Sequence, residues 1–189
     1  MSHHISHAYR TWLASAIITI LAAACGGGGS GSQSGTAVPG ESVHRIVASG
    51  KILTVADAEA AGVKKSKQYD VTGVIAATDA WLAFFGPDAS NPKEFELRFY
   101  SSHESAVKDG EPLAKEGSGE GMKAAKDTQT WQEGAKNRWR AGGMDPGPKF
   151  GDYAIYGNLV LLCEGADSSQ SLERCSGLIE ALGGPKLKK

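Results

Sequence analysis

The clearest period of two in this chain runs through Glu94-Phe95-Glu96-Leu97-Arg98-Phe99-Tyr100. Charged Glu96 and Arg98 alternate with apolar residues that fall on the opposite side of an extended backbone: Phe95, Leu97 and Phe99. Successive side chains of a strand point to opposite faces, so the pattern predicts a strand with one apolar face and one charged face. The predicted fold is built outward from this strand.

Turn-forming residues place this strand in a hairpin. The segment 80–85 precedes it and is rich in aromatic residues, and the residues between the two segments favour turns: Gly86-Pro87-Asp88-Ala89-Ser90-Asn91-Pro92. A second hairpin is predicted over 153–163, with its turn at Gly157-Asn158. The segment 69–75 is a further strand candidate.

Capping residues and apolar spacing predict helices around these hairpins. Thr54 begins a small helix, and Ser101 with Glu104 has the spacing of a capping box. Pro112 either kinks the helix that follows or starts a second one, because proline lacks the amide that an interior turn requires. The last predicted helix, over 171–182, has one apolar face.

The stretch 117–151 is the least regular part of the chain. Trp131, Ala135 and Trp139 are spaced four apart, which predicts a helix near 127–141. Helices thus alternate with hairpins, as in α+β proteins. We expect a single α+β domain over 41–189, with an antiparallel sheet of about four strands from two hairpins, covered on one face by two or three helices.

The balance of charge argues against nucleic acid as a partner. Lys and Arg number 20, against 21 for Asp and Glu. Phosphate binding needs a concentrated positive field, which this near balance does not favour. The last residues, 185–189, form a short basic tail. Such a tail is typical of a solvated terminus.

The first 24 residues have the character of an export signal. The stretch 11–24 carries no charge, and its length suits the apolar core of a signal peptide better than the roughly 20 residues that a membrane-spanning helix needs. An uncleaved anchor helix and an ordinary secretory signal are the alternatives. The Gly- and Ser-rich stretch after Cys25 favours a tether, because it cannot pack.

The residues around Cys25 resemble the lipobox of bacterial lipoproteins: Leu21-Ala22-Ala23-Ala24-Cys25-Gly26. Ala22 stands where that family usually has a larger aliphatic residue. The resemblance implies a cleaved signal over 1–24, fatty acyl chains such as palmitate on Cys25, and a flexible lipidated tether over 25–40. It also implies that the domain is held at the extracytoplasmic face of the cell membrane or outer membrane.

The other two cysteines are expected to pair. With Cys25 lipidated, Cys163 and Cys175 remain, an even number in an oxidising compartment. A disulfide would close a loop of about a dozen residues, worth roughly 3 kcal/mol. Two buried free thiols or a catalytic thiol are the alternatives. The histidines of the mature chain, His44 and His103, are far from both cysteines in sequence, so a Cys-His nucleophile has little support.

No motif assigns a catalytic residue, a metal ligand or a cofactor. One candidate ligand surface stands out because indoles lie beside cations: Trp131, Arg138, Trp139 and Arg140. Stacking and paired hydrogen bonds would suit an anionic or sugar ligand. The alternative is that both tryptophans are core anchors and the cations are solvated. That alternative is favoured, because buried aromatic residues outnumber binding platforms.

The sequence supports three functions without selecting one by a motif. The first is a non-catalytic, membrane-tethered domain that binds an unknown ligand or protein in the cell envelope. The second is an envelope hydrolase, which predicts converging acidic or histidine side chains in a cleft. The third is an accessory subunit of a membrane complex, which predicts a large exposed apolar patch. The first is our expectation.

Overall fold

The computed structural model of the chain describes residues 44–122, 128–140 and 146–188. The predicted signal and the tether, with Cys25, lie outside the described residues. Within the ranges that the structure describes, no helix is both long and apolar enough to cross a membrane.

Six strands form the main sheet of the described chain. In chain order, the strands are β1 (Ile46–Val47), β2 (Lys64–Gln68), β3 (Ala77–Phe85), β4 (Lys93–Tyr100), β5 (Trp139–Arg140), β6 (Gly147–Pro148), β7 (Phe150–Tyr156) and β8 (Leu159–Glu164). The main sheet has the order β1-β7-β8-β4-β3-β2, and β5 pairs with β6 separately. β1 runs parallel to β7, whereas the other described neighbours are antiparallel.

The α+β class is confirmed, but the prediction of four antiparallel strands is wrong. The described sheet is mixed and has two additional edge strands. β2 is exposed at all its residues and has the polar sequence Lys64-Lys65-Ser66-Lys67-Gln68, so no apolar alternation reveals it. β1 has only two residues and is defined by its pairing with β7, where Ile46 lies opposite Ile155. The strand predicted over 69–75 is also wrong, because that segment forms turns.

Both predicted hairpins are confirmed, as β3–β4 and β7–β8. The second hairpin turns at Gly157 and Asn158, where Gly157 has a φ of +57°. The buried side chain of Asn158 donates hydrogen bonds to the carbonyl oxygens of Leu53 and Tyr100. It also accepts a hydrogen bond from the backbone N–H of Leu53, and the three distances are 2.7–2.9 Å. This turn therefore ties the hairpin to β4 and to the segment before the first helix.

The helices are α1 (Val55–Ala60), α2 (His103–Ser105), α3 (Glu111–Gly117) and α4 (Ser168–Ala181), with a π-helical turn at Ala106–Gly110 between α2 and α3. Thr54 caps α1 as predicted, and Asp57 completes a capping box. The cap of α2 is Ser102, one residue after the predicted Ser101. Pro112 lies in the first turn of α3, so it starts a second helical segment.

The helix predicted near 127–141 is wrong over the described residues 128–140. This segment consists of turns, a 3-10 turn at Ala135–Asn137, and β5. Gly134 has a φ of +75°, which interrupts any helix at that point. The carbonyl oxygens of Trp131 and Glu133 accept hydrogen bonds from the Arg138 side chain. The backbone of the segment 128–140 is therefore held by hydrogen bonds to a side chain of the same segment, that of Arg138.

Both faces of the sheet are covered, so the prediction of a single covered face is also wrong. On one face, α1 and α4 pack on apolar side chains of the central strands, among them Phe95, Leu97, Phe99, Leu159 and Leu161. The predicted disulfide is confirmed there: Cys163 of β8 is bonded to Cys175 of α4, with their Cα atoms 5.7 Å apart. On the other face lie the π turn, α3 and the segment 128–140. β4 is therefore buried on both sides.

Candidate functional site

The charged face of β4 is buried and holds an ionic cluster of Glu96, Arg98 and Arg138. These side chains are 0–1% exposed. Arg138 grips Glu96 with two hydrogen bonds, Nε to Oε2 at 2.8 Å and Nη2 to Oε1 at 2.9 Å. Arg98 adds one more, from Nε to Oε1 at 2.7 Å. A two-pronged contact of this kind is a strong charge-assisted interaction.

The five N–H groups of the Arg138 guanidinium all have partners. Besides the two bonds to Glu96, Nη1 donates to Oε1 of Gln129 at 2.6 Å and to the carbonyl oxygen of Trp131 at 3.0 Å. Nη2 donates to the carbonyl oxygen of Glu133 at 2.7 Å. Arg138 therefore fixes its own segment to β4 and satisfies the carbonyl groups that a helix would otherwise have used.

Arg98 differs sharply from Arg138. Its Nη1 and Nη2 atoms are buried, as is the Tyr100 hydroxyl, and none of the three makes a hydrogen bond of standard geometry with a described residue. The side chains of Arg98 and Tyr100 nevertheless interact with each other, which partly offsets the effect of burial on the pKa of Tyr100. Across the sheet, Arg98 lies in register with Ala80 and Val160, which offer no side-chain acceptor. In this cluster two guanidiniums face one carboxylate, so one positive charge is uncompensated by the described side chains that contact it.

The electrostatics keep the cluster ionised. Burial by itself would raise the pKa of Glu96, but Arg98 and Arg138 outweigh it, so the pKa of this carboxyl is lowered. Burial lowers the pKa of Arg98, which Glu96 partly offsets, and an arginine remains a cation in proteins. Burial also raises the pKa of Tyr100, although Arg98 acts in the other direction. Tyr100 therefore keeps its proton and can donate it in a hydrogen bond.

Trp131 lies against both arginines and is fixed by several contacts. The guanidinium carbons of Arg98 and Arg138 are each 4.9 Å from the centroid of its ring. Tyr69 contacts the ring edge to face at 6.0 Å, and the indole Nε1 donates to the carbonyl oxygen of Asp70 at 3.1 Å. Only 8% of the residue is exposed. The indole is a rigid element, stabilised further by the two cations.

One side of Trp131 lines a cavity of about 330 Å³, which we name the Trp131 pocket. Its other lining residues come from the loop before β3, the π turn, α3 and the segment 128–140: Thr72, Gly73, Val74, Ile75, Lys108, Asp109, Leu113 and Thr130. Ile75 at this pocket is 73% exposed, and the adjacent Ala76 has a φ of +59°, which is uncommon for a residue with a side chain. Backbone strain and π turns concentrate at functional sites.

The four residues of the predicted ligand surface are divided by the structure. Trp131 and Arg138 are brought together in the interior, and of the four only Trp131 lines the Trp131 pocket. Trp139 and Arg140 form β5, half-buried, where they pair with β6. Sequence analysis missed Glu96, Arg98 and Tyr100, because alternating charges on a strand are typical of a solvent face.

Residues 54–184 match the model of a family of unknown function (DUF6810), which is more than half of the chain. The chain belongs to this family. No curated protein and no solved structure matches it. The part of this DUF6810 chain that matches includes the ionic cluster, the Trp131 pocket and the disulfide.

A larger cleft of the DUF6810 domain, about 620 Å³, is lined by charged groups, several of which have partners within the described chain. Arg45 pairs with Asp152 at 2.7 Å, and the Ser168 hydroxyl donates to the same carboxylate. The Tyr153 hydroxyl donates to Glu111 at 2.7 Å, and burial together with Glu111 raises the pKa of Tyr153. Within 44–122, 128–140 and 146–188, no three His, Cys, Asp or Glu side chains converge as a metal site. The rigid indole and the apolar walls make the Trp131 pocket the better candidate for a small apolar ligand.

The two arginines of the cluster should differ in their contribution to stability. Arg138→Met should lower the free energy of unfolding by about 3–5 kcal/mol, because it leaves Glu96 with a single bond to Arg98 and removes the donor from the carbonyl oxygens of Trp131 and Glu133. Arg98→Met should leave it within about 1 kcal/mol of wild type, because Glu96 keeps both bonds to Arg138. Urea unfolding at pH 7 measures both values. Equal losses for the two variants would contradict this account.

The Glu96 carboxyl should titrate below its ordinary pKa of 4.5. Its pKa is lowered in the folded state, so its contribution to stability is complete above pH 4.5 and is lost as the pH falls through the folded value. The ¹³C chemical shift of the Glu96 carboxyl, followed from pH 7 downward in the folded protein, measures the titration directly. A midpoint at or above 4.5 would show that the arginines do not hold the charge.

Proposed function

We propose that this protein is a lipid-tethered, extracytoplasmic binding domain whose ligand site is the Trp131 pocket. In this proposal Cys25 carries the acyl chains and the glycine- and serine-rich tether holds the domain clear of the membrane surface. The observation that carries the binding function is a rigidly held indole, that of Trp131, which forms a wall of a cavity of about 330 Å³ together with the apolar side chains of Val74, Ile75 and Leu113.

Two features support an extracytoplasmic location. The lipobox-like sequence that ends at Cys25 follows an uncharged stretch of signal-peptide length. The Cys163–Cys175 disulfide is a bond that persists in oxidising compartments and is rare in the cytosol. Two or three acyl chains on one cysteine would hold the protein firmly, because each buried methylene contributes about 0.8 kcal/mol.

The composition of the Trp131 pocket supports binding of a small molecule. Its volume of about 330 Å³ lies at the lower end of the range for ligand sites, and apolar walls with a few polar groups are typical of them. Val74, Leu113 and Trp131 supply apolar surface, while Thr130 supplies a hydroxyl that Glu116 already binds. A rigid wall lowers the conformational entropy lost on binding.

The anchor is tested by replacing Cys25 with serine in the full-length chain expressed in a bacterial host. We expect the wild-type mature N-terminus to carry the mass of the acyl groups and the protein to partition into membranes, and Cys25→Ser to lose both properties. The matched control is the double variant Cys163→Ala/Cys175→Ala, which removes the other two thiols and should still partition into membranes. Unchanged mass and partitioning of Cys25→Ser would refute the anchor.

Binding is tested with benzyl alcohol, an uncharged apolar probe, in ¹H–¹⁵N NMR titrations of the full-length chain. The amides of Gly73, Leu113 and Trp131 should shift, and Leu113→Trp should abolish these shifts by filling the pocket. Gly177→Leu is the matched control: it adds a side chain to a different cavity, where a Cβ atom meets nothing within 4 Å. Shifts that survive Leu113→Trp, or that are absent from wild type, would argue against this site.

A further inference from the structure

We propose that the ligand of the Trp131 pocket is a small organic cation, an apolar body that carries one ammonium group, and that the carboxylate of Asp109 receives the charge. This inference rests on the proposed function, since it assigns the ligand class of the same pocket. It starts from the charges at the rim of the pocket, which are mostly negative although the chain as a whole is nearly neutral.

Three carboxylates belong to the rim, and one of them, that of Asp109, lines the pocket itself. The other two are one hydrogen bond away from lining residues. The Asp70 carboxylate accepts the backbone N–H of Thr72 at 2.8 Å. The Glu116 carboxylate accepts the backbone N–H and the hydroxyl of Thr130, at 2.8 and 3.0 Å. Carboxyl groups are ionised at neutral pH, and the hydrogen bonds from Thr72 lower the pKa of Asp70 below its ordinary value.

Asp109 is the acid best placed to meet a ligand. It lies in the π turn at Ala106–Gly110 and is half-buried. Within 44–122, 128–140 and 146–188, its carboxylate has no ion pair and no hydrogen-bond donor. The neighbouring Lys108 also lines the pocket but is exposed. Partly buried charges are screened less than exposed ones, so a cation in the pocket gains more from Asp109 than it loses to Lys108.

The excess positive charge of the ionic cluster does not reverse this balance. Arg98 is 1% exposed and lies behind the Trp131 indole, with its guanidinium carbon 4.9 Å from the ring centroid. Even when Arg98 is counted together with Lys108, the three carboxylates of the rim outnumber the cations. The field at the mouth of the pocket is therefore negative, and such a field attracts a cation.

The walls of the pocket require the rest of the ligand to be apolar. Val74, Leu113 and Trp131 line it, and Ile75 at its mouth is 73% exposed. A bare metal ion does not fit this description, because no three His, Cys, Asp or Glu side chains converge in the part of the chain that the structure describes. Contact with the apolar walls thus supplies affinity, and the carboxylates select among ligands of one shape.

The test compares benzylamine, a cation at pH 7, with benzyl alcohol, which has a similar shape and no charge. NMR titrations of the full-length chain at low ionic strength follow the amides of Gly73, Leu113 and Trp131 and give both dissociation constants. Benzylamine should bind to wild type about three- to tenfold more tightly, since several carboxylates each add a weak attraction. This ratio should fall towards one as salt is added, because salt screens exposed charges.

Two variants change the charge at the pocket in opposite directions. Asp109→Asn should weaken benzylamine by roughly two- to fivefold, and Lys108→Gln should tighten it by a similar factor, while benzyl alcohol is unaffected by either change. Glu173→Gln is the matched control, because it removes a negative charge on α4, which packs on the other face of the sheet. Leu113→Trp should abolish the shifts caused by benzylamine, because it fills the pocket.

The outcomes separate the two proposals. If benzylamine binds no more tightly than benzyl alcohol, or if Asp109→Asn leaves its affinity unchanged, the cation inference is overturned and the pocket is retained as a binding site. If Asp109→Asn does not fold, an unchanged affinity in Lys108→Gln overturns the inference instead. If neither probe shifts the amides of Leu113 and Trp131, both proposals fall. Benzylamine binding that weakens in Asp109→Asn and is unchanged in Glu173→Gln supports the inference.

Discussion

The two-pronged contact between Glu96 and Arg138 is the interaction on which one whole face of this protein depends. Glu96 lies on β4, in the middle of the sheet, and Arg138 belongs to a segment with little regular structure of its own. Because Arg138 also binds the carbonyl groups of Trp131 and Glu133, one side chain orders its segment and attaches it to the sheet. Trp131 is locked, and the Trp131 pocket gains its wall, as a consequence.

The second arginine makes this cluster unusual. Taking an ion out of water costs several kcal/mol even after relaxation, and the cost is recovered only where partners are complete. Arg138 meets that condition and Arg98 does not. Exceptions of this kind are expected mainly at functional or strained sites. In the larger cleft, by contrast, the buried charge of Asp152 is paired with Arg45 and accepts a hydrogen bond from Ser168.

Sequence patterns predicted the features that local chemistry determines. The two hairpins, the Thr54 cap and the Cys163–Cys175 disulfide follow from turn residues, capping residues and cysteine spacing, and the structure bears them out. Of the two alternatives left open at Pro112, the structure shows the start of a second helix, α3, which begins at Glu111. These signals act over a few residues, or over one strand and the helix packed on it. They carry over to the fold because neighbouring elements do not override them.

The rest depends on contacts between distant segments. The alternating charges of Glu96 and Arg98 predict a solvent-exposed face. Their partner, Arg138, lies some forty residues further along the chain, so the local sequence does not reveal that they are buried. The four-residue spacing of Trp131, Ala135 and Trp139 is typical of a helix. The segment nevertheless forms turns, because Gly134 has a positive φ and the Arg138 side chain binds the carbonyl oxygens of Trp131 and Glu133. β2 has no apolar alternation to detect, because its lysine-rich residues lie at an edge of the sheet where such residues hinder unwanted pairing. A pattern that spans only a few residues cannot predict these contacts.

A double-mutant cycle between Glu96 and Arg138 tests the central interaction most directly. It is made in an Arg98→Met background, so that only this pair of charges remains, with Leu replacing each partner singly and both together. We predict a coupling energy of several kcal/mol, with the double replacement more stable than either single one, because each single change strands a buried charge. Additive losses, with coupling below about 0.5 kcal/mol, would show that the pair does not hold this face together.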